Sequence, residues 1–157
     1  MKQLISVEAN IFQSRYISPS DIAPLKSLGI THILNLTDCQ HLFLDELIES
    51  GFVVKHIYLE DCVPIDNETA VEIVDYIHES VRNPENKIYV HCIAGINRSP
   101  TAIWLYLLSK GYSEQDAAAK IMSGQKNLVV PDVVLVSILN LDLIKNRHNT
   151  QFRNNHV

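Results

Sequence analysis

The chain has 157 residues, 46% of them hydrophobic and 20% charged, with a formal net charge of −5. A domain of that size buries roughly two thirds of its unfolded surface and needs no disulfide or metal staple, so disorder, collagen and coiled coil are excluded for its bulk. The acidic balance speaks against nucleic-acid and membrane-surface binders, and no apolar run approaches the roughly 18 residues of a membrane span.

Residues 1–8 reach an acid too soon for a secretory leader. With three cysteines, an odd number, this leads us to expect reduced thiols in a cytoplasmic compartment. The first helical pattern runs over 21–28, after Ser18, Pro19 and Ser20, and stops at Gly29. A β-branched, apolar run over 30–36 reads as a buried strand. Residues 41–50 read as a helix stopped by Gly51, and 52–59 as a second strand. Ala70, Val71, Ile73, Val74, Ile77 and Val81 form an apolar stripe at helical spacing, with Asn67 as the expected cap. A short strand follows over 87–90, then a loop, then an apolar helix that Arg98 opens and Gly111 stops. Another helix begins at Ser113 and stops at Gly124. A last one starts near Pro131 and carries Leu135, Ile138, Leu139 and Ile144.

Strands alternating with helices predict one α/β domain over 1–145 with a largely parallel central sheet, followed by a polar, flexible tail over 146–157. Charge is uneven. Twelve acids stand against Lys55 and Arg82 between Asp38 and Glu85, a block that reads as a solvated face. Four of the five glycines end helices. The fifth, Gly95, lies between the third strand and the helix after it, at a carboxyl end, where sites in such sheets lie.

That loop reads His91-Cys92-Ile93-Ala94-Gly95-Ile96-Asn97-Arg98-Ser99-Pro100-Thr101. A backbone curling from a strand into a helix turns its N–H groups toward one point, making an anion nest at a helix N-terminus. Gly95 allows the turn, and Arg98 adds a planar fork suited to two phosphate oxygens. A positive field of this kind favours the thiolate of a cysteine such as Cys92. Ser99 can stabilise the sulfur as a leaving group, and His91 faces back to brace the loop. Cys39 and Cys62 read instead as buried packing cysteines. A zinc site would need paired ligands such as Cys-x2-Cys; Cys39 with His41 nearby does not meet that need, and no metal or other cofactor is expected.

His-Cys-x5-Arg-Ser resembles the signature of the cysteine-dependent protein tyrosine phosphatases, and Ala-Gly-Ile-x-Arg-Ser-Pro-Thr that of their small dual-specificity branch. Ser14-Arg15-Tyr16-Ile17 and the run from Gly29 to Leu36 extend the likeness, with Ser14 at a usual glycine; it covers roughly residues 4–145. The resemblance implies a mixed sheet with parallel central strands flanked by helices. It also implies a proton donor from an Asp about thirty residues before the cysteine. Asp61, 92 − 61 = 31 residues upstream, fits; Asp66 and Glu60 are the alternatives. The acidic surroundings of Asp61 suggest an acidic pH optimum.

The implied reaction binds a phosphate monoester on the amides of Ile93, Ala94, Gly95, Ile96 and Asn97 and on Arg98. Cys92 attacks, Asp61 protonates the leaving oxygen, and water then hydrolyses a phosphocysteine with Ser99 stabilising the departing sulfur. The expected substrate is a phosphorylated protein, at tyrosine and at serine or threonine. Phosphoinositides, inositol phosphates, RNA 5′-phosphates, glycans and a phosphate-binding scaffold without turnover stay open as alternatives.

Overall fold

The structure is a computed structural model and describes residues 4–123, 125–136 and 141–149. Five short strands form one sheet: β1 (Ile5–Glu8), β2 (Ile11–Ser14), β3 (His32–Asn35), β4 (Val53–His56) and β5 (Ile88–His91). Their order is β1-β2-β5-β3-β4; β1 runs antiparallel to β2 and every other pair is parallel. The sheet is thus mixed and largely parallel, as expected, but two of its strands escaped the sequence reading. All five strands are four residues long, so length does not set these two apart; β2 places Gln13 and Ser14 in a buried strand, which breaks the apolar run that signals one.

Side chains alternate between two cores, one on each face of the sheet. Ile11, Leu34, Ile88 and Val90 join α3 (Asn67–Val81), α4 (Arg98–Ser109) and α5 (Glu114–Met122) on one side. Phe12, Ile33 and Tyr89 join α1 (Ile22–Ser27) and α2 (Leu44–Glu49) on the other. All twelve residues of α4 are buried, so its start is rigidly fixed against the sheet. No described helix is long and apolar enough to cross a membrane.

Two helix starts show how local chemistry sets the boundaries. Ser113 caps α5 by accepting from the Asp116 N–H at 3.0 Å. The cap of α3 is Asp66, whose carboxylate accepts from the Thr69 N–H at 2.7 Å, and not Asn67, which is the first helical residue. The last predicted helix appears as α6 (Val133–Val136) and α7 (Leu141–Ile144), with Leu135 and Ile144 buried. Ile138, Leu139 and Gly124 lie outside the described residues, as do 150–157 of the tail. The first tail residues are tied down: Arg147 makes a two-bond fork to Asp75 of α3 at 2.8 and 2.9 Å, and His148 reaches the same carboxylate at 2.9 Å while stacking on His78.

Candidate active site

Parallel pairing puts the carboxyl ends of four strands in one row. Ser14 pairs with His91, His91 with Asn35, and Asn35 with His56. The loops that leave this row carry Asp38, Asp61 and Cys92 to one pocket of about 310 Å³. Ile93, Ala94, Asn97 and Arg98 complete its lining. Larger or similar hollows of about 460 and 300 Å³ lie beside the start of α5 and the C-terminal residues and are lined by no cysteine or arginine among the described residues.

The loop is built with its carbonyls held from behind. His91 Nδ1 contacts Cys92 O at 3.1 Å, the Tyr16 N–H donates to Ile93 O at 2.9 Å, Gln13 Nε2 donates to Gly95 O at 2.7 Å, and the Val129 N–H donates to Ile96 O at 3.1 Å. None of these supporting residues lines the pocket. A trans peptide sets each N–H opposite the preceding carbonyl, so the amides of Ile93, Ala94, Ile96 and Asn97 are turned toward the pocket. Among the described residues, no backbone N–H from Ile93 to Asn97 donates to a protein acceptor. The Asn97 side chain does not cap α4; it donates to Asp132 at 2.7 Å, which leaves the first-turn amides of the helix open to an anion.

Gly95 is required twice over. Its φ of +70° is a conformation that side chains resist, and a Cβ there would stand 2.6 Å from the Ser14 carbonyl carbon and 2.7 Å from the Arg15 nitrogen. The sequence suggested the turn; only the packing of the loop on the end of β2 shows the close approach.

Cys92 is 2% exposed, and its Sγ lies 3.3 Å from Ser99 Oγ. Arg98, 4% exposed, donates from Nη1 to Leu59 O at 2.8 Å. Its guanidinium also has Asp38 Oδ1 at 3.9 Å and Asp61 Oδ1 at 3.8 Å. The acidic surroundings expected around Asp61 therefore include a cation. Asp61 itself is open to solvent, and one carboxylate oxygen accepts from the Cys62 N–H at 3.1 Å. Glu60 faces a neighbouring hollow beside Tyr58, and Asp66 is engaged as the α3 cap, so neither alternative donor reaches the pocket.

Asp38 was legible only as the start of an acidic block. Asn35 holds it in place, accepting from the Thr37 amide and hydroxyl and donating to Cys39 O at 2.9 Å. Cys39 and Cys62 are exposed, not buried packing residues as expected: both sit in the loops at the carboxyl edge, outside the cores. All three thiols are free. His41 makes no metal site with Cys39, and among the described residues no group of three potential ligands is placed to hold a metal.

His41 instead braces His91, with the two Nε2 atoms 3.0 Å apart. His91 Nδ1–H donates to Cys92 O, so its Nε2 accepts and His41 Nε2–H donates. The other His41 nitrogen is buried without a partner. Burial, then electrostatic repulsion from His56 nearby, holds His41 down to about 4; burial, then His41, holds His91 down to about 3. A free histidine takes a proton near 6.5, so the unfolded chain binds protons that the folded pair refuses. The stability of this pair is therefore complete above about pH 6.5 and is lost as pH falls toward 4. The first proton costs on the order of 3 kcal/mol. Thermal melts between pH 7 and 4.5 should show a falling Tm, with a shallower fall in His41→Gln; identical slopes would contradict this account.

A profile of the dual specificity phosphatase catalytic domain matches residues 11–142. The protein-tyrosine-phosphatase MKP1 of Arabidopsis thaliana is 28% identical over 134 residues, covering 84% of this chain and 16% of that protein. Dual specificity protein phosphatase 26 of Rattus norvegicus is 27% identical over 139 residues, covering 84% of this chain and 65% of that one. The chain thus spans less than two thirds of either relative. The crystal structure of Tk-PTP in the active form superposes with a TM-score of 0.72 at 24% identity, over 80% of this chain and 86% of that one, a likeness of fold.

Proposed function

Since the chain belongs to the dual specificity phosphatase catalytic-domain family, we propose that it hydrolyses phosphate monoesters through a phosphocysteine on Cys92. One observation carries this reading: Cys92, with the buried Ser99 hydroxyl 3.3 Å from its sulfur, lines a pocket that inward-turned amides and Arg98 make anion-binding.

The phosphoryl group binds the amides of residues 93–97 and the Arg98 fork. The Cys92 thiolate attacks phosphorus in line with the ester oxygen, and Asp61 donates its proton to that oxygen as the bond breaks. Water then attacks the phosphocysteine. Its proton passes to Asp61, the S–P bond breaks, and the electron pair returns to sulfur, where the Ser99 hydroxyl stabilises it. The amides and Arg98 stabilise the charge of both transition states, so this chemistry calls for no metal or cofactor, and EDTA should leave it unaffected while vanadate inhibits.

The substrate class we propose is a phosphorylated protein, at tyrosine and at serine or threonine. The loop side chains Ile93, Ala94, Ile96 and Asn97 carry no positive charge, which gives a polyphosphorylated lipid or inositol nothing to bind beyond one phosphate. The catalytic unit on this reading is a single domain over 1–145, with 146–157 as its tail. The three free thiols fit a reducing, cytoplasmic compartment.

Asp61→Asn tests the assignment. Removing a positioned proton donor should cost about 10²–10⁴-fold in kcat on a phosphopeptide. The loss should be smaller on p-nitrophenyl phosphate, whose leaving group needs little help. Unchanged turnover of both substrates at every pH would remove Asp61 from the mechanism.

A further inference from the structure

Gln13 lies within β2, fully buried, in a strand whose other inward positions are apolar or close to the loop. Its amide nitrogen donates to two atoms of the pocket loop and the helix that follows: Gly95 O at 2.7 Å and Ser99 Oγ at 2.9 Å. Its carbonyl oxygen is buried with no partner. The orientation of this amide is unambiguous. A backbone carbonyl only accepts, so the atom 2.7 Å from Gly95 O is the nitrogen, and its second hydrogen points at Ser99 Oγ.

Ser99 therefore accepts from Gln13 and has one hydrogen of its own to place. A serine in a helix commonly turns that hydrogen back to the carbonyl four residues earlier, here Gly95 O. That carbonyl accepts from Gln13, and among the described residues it makes no hydrogen bond with the Ser99 hydroxyl. The remaining polar neighbour of the Ser99 hydroxyl is Cys92 Sγ, 3.3 Å away. We infer that Gln13 is a positioning residue that fixes the direction of the Ser99–Cys92 hydrogen bond, with the hydroxyl donating to sulfur, and so favours the thiolate both as attacking group and as leaving group.

A buried amide oxygen without a partner is destabilising, which an apolar residue at this position would avoid. Gln13 is thus better explained by what its nitrogen does than by packing. The inference rests on Cys92 acting as the nucleophile.

The test uses Gln13→Met, which keeps length and loses the donor, and Gln13→Leu as a second variant of different shape. Iodoacetamide alkylation of Cys92, followed by mass spectrometry of its own peptide because Cys39 and Cys62 are exposed, should slow about tenfold at pH 6. With p-nitrophenyl phosphate, kcat should fall about tenfold with KM little changed, and a burst of p-nitrophenol should appear as phosphocysteine breakdown becomes limiting. In a Ser99→Ala background the same substitutions should add nothing to either measurement. Wild-type alkylation and kcat in the single variants would overturn the inference, as would losses of the same size in the Ser99→Ala background, because those would be structural effects through Gly95. Failure of the nucleophile assignment is distinguished by full turnover in Cys92→Ser, a result independent of Gln13.

Discussion

Cys92→Ser is expected to lower kcat by about 10⁵–10⁶-fold, the scale seen when a covalent nucleophile is removed, while phosphate-ester binding survives. The two effects separate because they rest on different atoms. Binding draws on the amides of Ile93 to Asn97 and on the Arg98 guanidinium, none of which the substitution touches. Turnover draws on sulfur, which ionises and leaves far more readily than a buried serine oxygen. The change is small in volume at a site that is 2% exposed, and the Ser99 contact can be kept by a hydroxyl. Phosphate release from p-nitrophenyl phosphate and equilibrium binding of a phosphopeptide, measured on the same preparation, check both halves. Residual turnover close to wild type would end the phosphocysteine mechanism; lost binding with an intact melt would mean that the sulfur, and not the loop, holds the substrate.

Arg98→Lys is expected to cost about 10²–10³-fold in kcat/KM, the cost of losing one well-aimed donor to transition-state charge. Arg98 is buried at the start of α4, and its fork is aimed by one hydrogen bond, to Leu59 O at 2.8 Å, with the carboxylates of Asp38 and Asp61 at ion-pair distances of 3.9 and 3.8 Å. A lysine keeps the charge but presents a compact ammonium that cannot hold a carbonyl and two phosphate oxygens in one plane. Between two carboxylates it would be drawn to them and away from the dianion. Steady-state kinetics and the inhibition constant for vanadate should weaken together. If both stay at wild-type values, the geometry of the fork is irrelevant and only its charge matters.

How much of this was legible beforehand follows from sequence distance. The cradle lies in eleven consecutive residues between a β-branched strand and an apolar helix, and each feature that makes it one is local: a thiol, a glycine, an arginine and a helix start at fixed spacing. Asp61 came into view only through the family resemblance, which implies an Asp about thirty residues before Cys92; the structure adds that its loop leaves the same edge of the sheet and lines the same pocket. The cap of α3 slipped by one residue, from Asn67 to Asp66, since both residue types cap and only the backbone angles separate them.

The residues that escaped share one property: their roles depend on chain segments far apart in sequence. Gln13 meets Gly95 and Ser99 across more than eighty residues, from a strand too polar to announce itself. His41 braces His91 across fifty. Asp38 reaches Arg98 through the pairing of β3 with β5. Cys39 and Cys62 are exposed because the edge loops carry them out of both cores, a matter of loop path and not of residue type.

By itself, then, the sequence determined the α/β alternation, the acidic surface and the anion cradle with its cysteine and arginine, because those rest on local periodicity and on residues a turn apart. Only the tertiary structure decided which side chains surround the cradle, which way its carbonyls face, and that Gln13 meets the serine beside the sulfur. Those are directional contacts between distant segments, and they exist only once parallel pairing has brought four strand ends into one row.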